Sequence, residues 1–459
     1  MWWIWTIACL QPDRGPASGD FEVETTLSEV ALTTVLVRFE TPSPTTAHVR
    51  YSEPGTSELT RTTETTGPSI HHTVALTGNA AGGVVSWEAV ATDERDHTTT
   101  SGVQATLVPW PSTLTPLDLD IRDEERSELA TGHLLFSQYD RQRDHSFATI
   151  VNGHGAVVWL SADTGDDVKI NRARLGRDGQ SVLFSQYHWE LRKDLGEIVR
   201  VSLDGTTTTT TRATEQHHDF VELPDHELAW LSYVYDDVVL PGDDDPLPLA
   251  TDAVRTAPEG TEGAGTRKLF DMLEDWPESP GWSCDHMELG KFVPNRYEWT
   301  HSNSIAYIDE EHAFLVLARY IDQLVKIDAN TGEILWRMGP GGDFELLSGT
   351  WFDHPHFSDA WPGGVLMYDN RNHSERASRA VEYHYDEDAM TVEQVWSHTE
   401  PGHRMTTFLG DASRLPGGNV VITWSALGTI QEVTRDGEVV FELHTKNVPG
   451  RSAWVGGLW

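Results

Sequence analysis

A short strand, a tight turn carrying Asp, Pro or Gly, and then an apolar strand recur six times along the second part of this chain. Gly132, Gly179, His226, His312, Gly364 and Gly418 mark the turns, at spacings of 47, 47, 86, 52 and 54 residues. Several units carry a second signature, an apolar pair closed by an aromatic after a Gly turn: Gly155-Ala156-Val157-Val158-Trp159, Gly332-Glu333-Ile334-Leu335-Trp336 and Gly437-Glu438-Val439-Val440-Phe441. About fifty residues with four strands is the size of a propeller blade. The repeat therefore predicts a six-bladed β-propeller over residues 117–459, the sixth interval being the one that closes the ring. The long interval holds residues 236–299, including Gly242-Asp243-Asp244-Asp245-Pro246 and a Gly/Thr-rich stretch at 257–266, and is expected to be a loop insertion over one face. The Thr run at 206–211 reads as a polar strand edge.

Ahead of the repeat, residues 21–111 alternate with period two, as in Val84-Val85-Ser86-Trp87-Glu88-Ala89-Val90-Ala91, with turn residues every ten or so positions. That spacing predicts a small Ig-like or fibronectin-like β-sandwich, joined to the propeller by a linker at 110–116. The whole chain is expected to be all-β, and its 459 residues leave room for both units.

Charge narrows the partners. Asp and Glu number 72 against 33 Lys and Arg, a formal net charge of −39 that repels phosphate backbones, so no nucleic acid is expected. Cys9 and Cys284 are the only cysteines, too few for a disulfide framework, and neither a thiolate metal site nor redox chemistry is expected from that count. Residues 1–10 are apolar and read Thr6-Ile7-Ala8-Cys9 before a Pro, Gly and Ser stretch. This looks like a lipoprotein cleavage site with a lipid anchor at Cys9, although no Lys or Arg precedes it. Residues 1–20 are accordingly taken as a leader and linker, and a periplasmic or cell-envelope location is expected. No later segment has the ~18 uninterrupted apolar residues of a spanning helix.

Propeller channels are lined by the innermost strand of each blade, so residues at matching positions converge near the axis. Eight residues before their markers stand Asn171, His218, His356 and Gly410, and His301 precedes its marker by eleven. A unit-four turn three residues longer would put His301 on the same rung, so that three successive blades present an imidazole. Arg319 ends the apolar run Phe314-Leu315-Val316-Leu317-Ala318. Imidazoles with a guanidinium suit an oxyanion. Zinc on the three histidines is the rival, disfavoured by the absence of an accompanying acidic ligand and by the arginine; no metal is expected.

Trp299-Thr300-His301-Ser302-Asn303-Ser304-Ile305-Ala306-Tyr307, with Arg319 following and then Leu324-Val325-Lys326-Ile327, resembles the bacterial aryl-sulfate sulfotransferases that do not use phosphoadenosine phosphosulfate. The resemblance continues through His218-Asp219, His356, Tyr368-Asp369-Asn370, Ser378-Arg379-Ala380-Val381-Glu382-Tyr383 and Val392-Glu393-Gln394-Val395-Trp396, and the family's small N-terminal β-domain has its counterpart in residues 21–111. It implies a cofactor-free, ping-pong transfer of a sulfuryl group from a phenolic sulfate ester to a phenolic acceptor. His356 then stands where the family carries its sulfohistidine nucleophile. His218, His301 and Arg319 are its implied partners, and Asn303 an implied sulfate contact.

His354 lies two residues from His356 and His217 adjoins His218, so the residues alone leave the nucleophile open between His354 and His356. Tyr320 follows Arg319 where relatives often carry His, and Arg371-Asn372 stands where Gly is common, which points to a different acceptor preference. The competing class is a catalytically inactive propeller of the cell envelope that binds a sulfated or other anionic ligand. A homodimer is compatible with either.

Overall fold

The structure is a computed structural model that describes residues 21–142, 144–165, 167–188, 196–239, 244–263, 265–276, 284, 287–291 and 293–458. The leader expected around Cys9 lies outside them.

Six sheets, each with four antiparallel strands and those of blades three and five extended by a short parallel strand, make the propeller, and every marker turn stands at the entry to a blade's second strand. The innermost strands of blades two to six are Val168–Leu175, Gln216–Glu222, Ser302–Ile308, Pro355–Trp361 and Asp411–Arg414. Blade one takes its innermost strand from the far end of the chain: Val448–Val455 pairs antiparallel with His133–Tyr139. The opposite exchange adds Asp118–Ile121 to the outer edge of blade six, against Val439–His444. The ring is thus latched twice, by strands from both ends of the repeat region.

Position within a blade explains composition. The second strand of blade four, Ala313–Ala318, is covered on both faces by neighbouring blades and reads as an unbroken apolar run, all of it buried. The outer strand Thr391–Thr399 of blade five alternates instead. The hydrophobic interior is divided into six inter-blade clusters, such as Leu317, Trp336, Val365 and Tyr383 between blades four and five, and Phe220, Trp230 and Leu183 between blades two and three. Inner strands can then be polar, because packing between blades does not depend on the faces turned to the axis.

Two expectations are corrected. Most of residues 236–271 is blade, not inserted loop: Glu227–Val238 and Leu247–Pro258 form a twelve-residue hairpin, and Arg267–Asp271 is the fourth strand of blade three. The expectation failed because Asp236 and Asp237, just ahead of the acidic stretch at 242–246, ride on the exposed outer end of that hairpin. The turn of unit four is also no longer than that of unit three, since residues 223–226 and 309–312 are four each. His301 reaches the axis from just before its strand. Thr208–Arg212 is the outermost strand of blade two, with its first three threonines exposed, as the Thr run suggested.

Upstream, a seven-stranded sheet is built around the seventeen-residue strand Val35–Tyr51. Its first half pairs with Val23–Leu27 and Thr66–Leu76, its second half with Arg61–Thr62 and Val84–Asp93, and register shifts near Thr45 bend it between the two. Val37, Phe39, Val49, Trp87 and Val108 form a core separate from the propeller's. The unit is docked on blades one and two: Ser28 Oγ donates to the Gly205 carbonyl at 2.8 Å, Thr33 Oγ1 to the Val158 carbonyl at 3.0 Å and the Leu32 amide to the Leu160 carbonyl at 2.8 Å. The stretch at 110–116 is packed, with Trp110 Nε1 donating to the Leu114 carbonyl at 2.8 Å and the Leu114 side chain buried against blade six.

Candidate active site

Register shifts interrupt the inner strands of blades two to five at one level: between Ile170 and Ala173, Gln216 and Phe220, Ser302 and Ser304, and His356 and Ser358. His218, His301 and Phe357 take left-handed backbone conformations there, with φ of 52°, 47° and 38°. Such conformations are costly for residues with a Cβ and persist where the surroundings enforce them, commonly beside functional sites. Here they turn consecutive side chains toward the axis instead of alternating across the sheet.

The structure brings His218, His301, His356 and Arg319 together. All four are at most intermediate in exposure, with His301, His356 and Arg319 buried. The rings of His218 and His301 are 4.8 Å apart and inclined by 70°. Burial, followed by the charges of neighbouring basic groups, lowers all three imidazoles well below their ordinary pKa; Arg319 acts on His301 and His356, and His301 on His218. They are neutral at pH 7. Arg319 is itself lowered to about 10 by burial and remains cationic. Its Nη2 donates to the Thr407 carbonyl at 2.8 Å, whereas its Nε, also buried, has no hydrogen-bond partner among the described residues. A buried guanidinium edge without an acceptor is the arrangement an anion would complete.

Hydrogen bonding assigns each ring's tautomer. Asn370 Nδ2 donates to the carbonyls of Thr406 and Leu409 at 2.6 and 3.1 Å, which turns its Oδ1 to His356 Nδ1, 2.5 Å away. An amide oxygen only accepts, so the proton of neutral His356 sits on Nδ1 and the lone pair on Nε2. His218 Nδ1 is 2.9 Å from His217 Nδ1, and His217 Nε2 makes a 3.1 Å ion-pair contact with Asp252, not aligned as a hydrogen bond. Burial alone would raise Asp252, yet contacts from His217, Thr300 and Ser302 outweigh it and hold the carboxylate ionised. With the His217 proton facing Asp252, His218 donates through Nδ1 and keeps its own Nε2 bare.

His301 differs. Its Nδ1 meets Glu298 Oε2 at 2.7 Å, and Tyr233 donates its hydroxyl to Glu298 Oε1 at 2.6 Å. Burial, then the nearby charge of Asp252, raises Glu298 to about 8. The pair therefore holds one exchangeable proton near neutrality, able to move from Glu298 through His301 toward the axis.

The other expected residues fall as follows. Asn303 is buried at the same level, and its Nδ2 donates to the Pro355 carbonyl at 2.8 Å, tying blade four to the residue before His356. His354 is turned away: its Nε2 is 3.9 Å from Cys284 Sγ and its ring stacks on Tyr320 at 5.2 Å. Asp219, beside His218, is a structural hub one rung along the channel. It accepts from the amides of Phe220 and Ile305, from Arg174 at 3.3 Å and from Arg451 at 2.5 Å.

Lys169 and Glu298 were not foreseen, and Tyr320 was singled out only as a departure from the family pattern. Lys169 is buried two residues before Asn171, 5.0 Å over the Tyr139 ring, and its charge acts on His218 and His356. The register that singled out Asn171 could have found it had a bulge been allowed for. Tyr320 is sandwiched between His301 and His354. Glu298 precedes His301 by three, a spacing without meaning until the chain is seen to turn there.

Fold and site define an all-β propeller with a buried cluster of neutral imidazoles and one guanidinium at its axis. The model of the arylsulfotransferase (ASST) family matches residues 122–449, and the chain belongs to that family. Membership supports aryl sulfotransferase activity in general, with an aryl sulfate as donor and a phenol as acceptor. No curated protein matches the chain. Solved structures similar to it include a protein of unknown function from Bacteroides caccae, with 12% identity over 79% of this chain and 96% of that one and a TM-score of 0.36. A putative 6-phosphogluconolactonase from Bacteroides fragilis has 11% identity over 72% and 99%, TM-score 0.40. The β-propeller domain of Cps50 (Swd1) from Myceliophteria thermophila has 14% over 71% and 89%, TM-score 0.36.

Proposed function

We propose that this chain transfers a sulfuryl group between phenols in two displacements through a sulfohistidine on His356, without a nucleotide cofactor. The observation that carries the reading is the Asn370 contact, which leaves His356 a neutral imidazole with its Nε2 lone pair available beside the Arg319 guanidinium.

In the first displacement His356 Nε2 attacks the sulfur of the aryl sulfate. The N–S bond forms as the S–O bond to the phenol breaks, and the leaving phenolate takes a proton from His301 Nε2 while the Glu298 proton passes to His301 Nδ1. Charge spread over the three sulfuryl oxygens is met by Arg319, whose Nε is otherwise without an acceptor, and by the second amide proton of Asn303. In the second displacement the acceptor phenol returns a proton to His301 as its oxygen attacks sulfur, the N–S bond breaks and the imidazole is restored. His218, with a bare Nε2 4.8 Å ring to ring from His301, is placed to orient the phenolic hydroxyl. In the same reading residues 21–111 are a small sandwich that braces the outer edges of blades one and two.

Incubation with 4-nitrophenyl sulfate tests this. Nitrophenol release that depends on an added phenol is expected. Release without acceptor would show a sulfatase, and no release with retained sulfate-ester binding would favour the binding-protein alternative.

A further inference from the structure

We propose that Cys284, His354 and His373 bind a single transition-metal ion of the zinc class. The three offer one donor atom each within 4.8 Å of one another, with Cys284 Sγ 3.9 Å from His354 Nε2 and the two imidazole rings 4.5 Å apart. Ligands at roughly 2.3 Å for sulfur and 2.0 Å for nitrogen stand about 3.5 Å from each other around a tetrahedral ion, so the cluster needs a closure of well under ~1 Å for its sulfur–nitrogen pair.

Orientation is already provided. Asp322 Oδ2 sits 3.0 Å from His373 Nδ1, so this ring would meet an ion through Nε2, and Asp322 Oδ1 accepts from the His354 backbone amide at 2.6 Å. One carboxylate thus fixes the ring of one ligand and the main chain of the other, the carboxylate–histidine arrangement that commonly backs metal-binding imidazoles. Tyr320 stacks on the second face of the unit, almost parallel to His354 at 4°. One thiolate with two imidazoles is a donor set for zinc, cobalt or copper, and not for magnesium or calcium, which prefer oxygen.

Counting cysteines in the sequence argued against a thiolate site, but one sulfur suffices when two imidazoles join it. The ligands come from three places: the segment between blades three and four, the start of the inner strand of blade five, and the turn after that blade's second strand. An ion there would staple the inserted segment to blade five two residues before His356. None of the three takes part in the sulfuryl transfer set out above, so this inference stands apart from it.

The test uses the full-length protein, stripped with a chelator and titrated with Co2+. One equivalent should bind, giving tetrahedral d–d bands and a thiolate-to-cobalt charge-transfer absorption. The charge-transfer absorption should vanish in Cys284→Ser, and the bands should be lost or greatly weakened in His373→Ala, with far-ultraviolet circular dichroism unchanged. Failure to bind Co2+, or a charge-transfer band that survives Cys284→Ser, overturns the proposal. A readout without variants is alkylation of Cys284 followed by peptide mass mapping, which zinc should slow by at least about tenfold; equal rates with and without zinc overturn it.

Discussion

Asn370 Oδ1 accepts from His356 Nδ1 at 2.5 Å, and the amide cannot be turned over without forfeiting the two carbonyls that hold its nitrogen. The contact picks the tautomer, and the upward pull it exerts on His356 is outweighed by burial and by the charge of Arg319, which keep the imidazole neutral. Asn370→Ala should lower kcat/KM for 4-nitrophenyl sulfate by roughly 10- to 100-fold, the usual effect of losing a group that orients a reacting histidine. An unchanged value would mean that the tautomer is selected elsewhere.

The orientation of His354 separates the two candidate nucleophiles. Its Nε2 faces Cys284 and its ring is clamped by Tyr320, whereas the Asn370 contact at His356 Nδ1 leaves Nε2 as that ring's basic nitrogen. Rapid quenching of the protein with donor alone, followed by intact mass measurement, should show one added SO3 group in the wild type and in His354→Ala, and none in His356→Ala. The opposite pattern would move the covalent step to His354.

Glu298 sets the basic limb of the pH profile. Its protonated form keeps a proton on Nε2 of His301, and its pKa is raised from 4.5 to about 8. Activity on the donor should therefore fall as pH rises through about 8, and the limb should flatten or shift in Glu298→Gln at a cost in kcat of about 10- to 100-fold. The same shift acts on stability. The folded chain retains a proton that the unfolded chain releases above pH 4.5, so this group's contribution is present at low pH and is lost as pH climbs toward 8. Chemical denaturation across that range should show wild type losing more stability than Glu298→Gln.

Arg319 is buried with one edge committed to Thr407 and its Nε without an acceptor. Arg319→Lys keeps the charge but not the planar fork of donors. It should cut kcat by about 10²- to 10³-fold while leaving the fold intact, because the lost contact strengthens as charge spreads over the sulfuryl oxygens. A change confined to KM would assign the arginine to ground-state binding.

Much of this was legible in the chain because blade turns require particular residues at fixed intervals. Gly179, Gly363 and Gly418 take positive φ at 65°, 75° and 103°, and such positions announce themselves. The rung shared by Asn171, His218 and His356 followed from the same ruler. What was illegible depends on local backbone irregularity or on distance along the chain. His301 falls off the ruler because its side chain comes from the lead-in to a strand, at φ 47°. Cys284 and His354 are seventy residues apart with no pattern joining them. The hairpin of blade three was read as a loop because its projecting end is solvated and acidic, although its inner half packs like any other blade strand.

A buried carboxylate holds the site in place. Asp219 is fully buried and takes charge-assisted contacts from Arg174 and Arg451 and two backbone amides, one of them Ile305 in blade four. Arg451 lies in the strand that closes blade one and Arg174 in the innermost strand of blade two, so this carboxylate of blade three joins four blades around the channel. Asp219→Ala would leave the buried Arg451 and the half-buried Arg174 with less counter-charge and two amides without acceptors, and should destabilise the protein by about 3–5 kcal/mol in chemical denaturation. His218 is the next residue, and its carbonyl is held by Asn171 Nδ2 at 2.8 Å. If that second tether suffices to place the imidazole, Asp219→Ala should retain most of its kcat at low temperature while unfolding far more easily. A parallel collapse of kcat in protein shown to be folded would instead make Asp219 a positioning residue for His218.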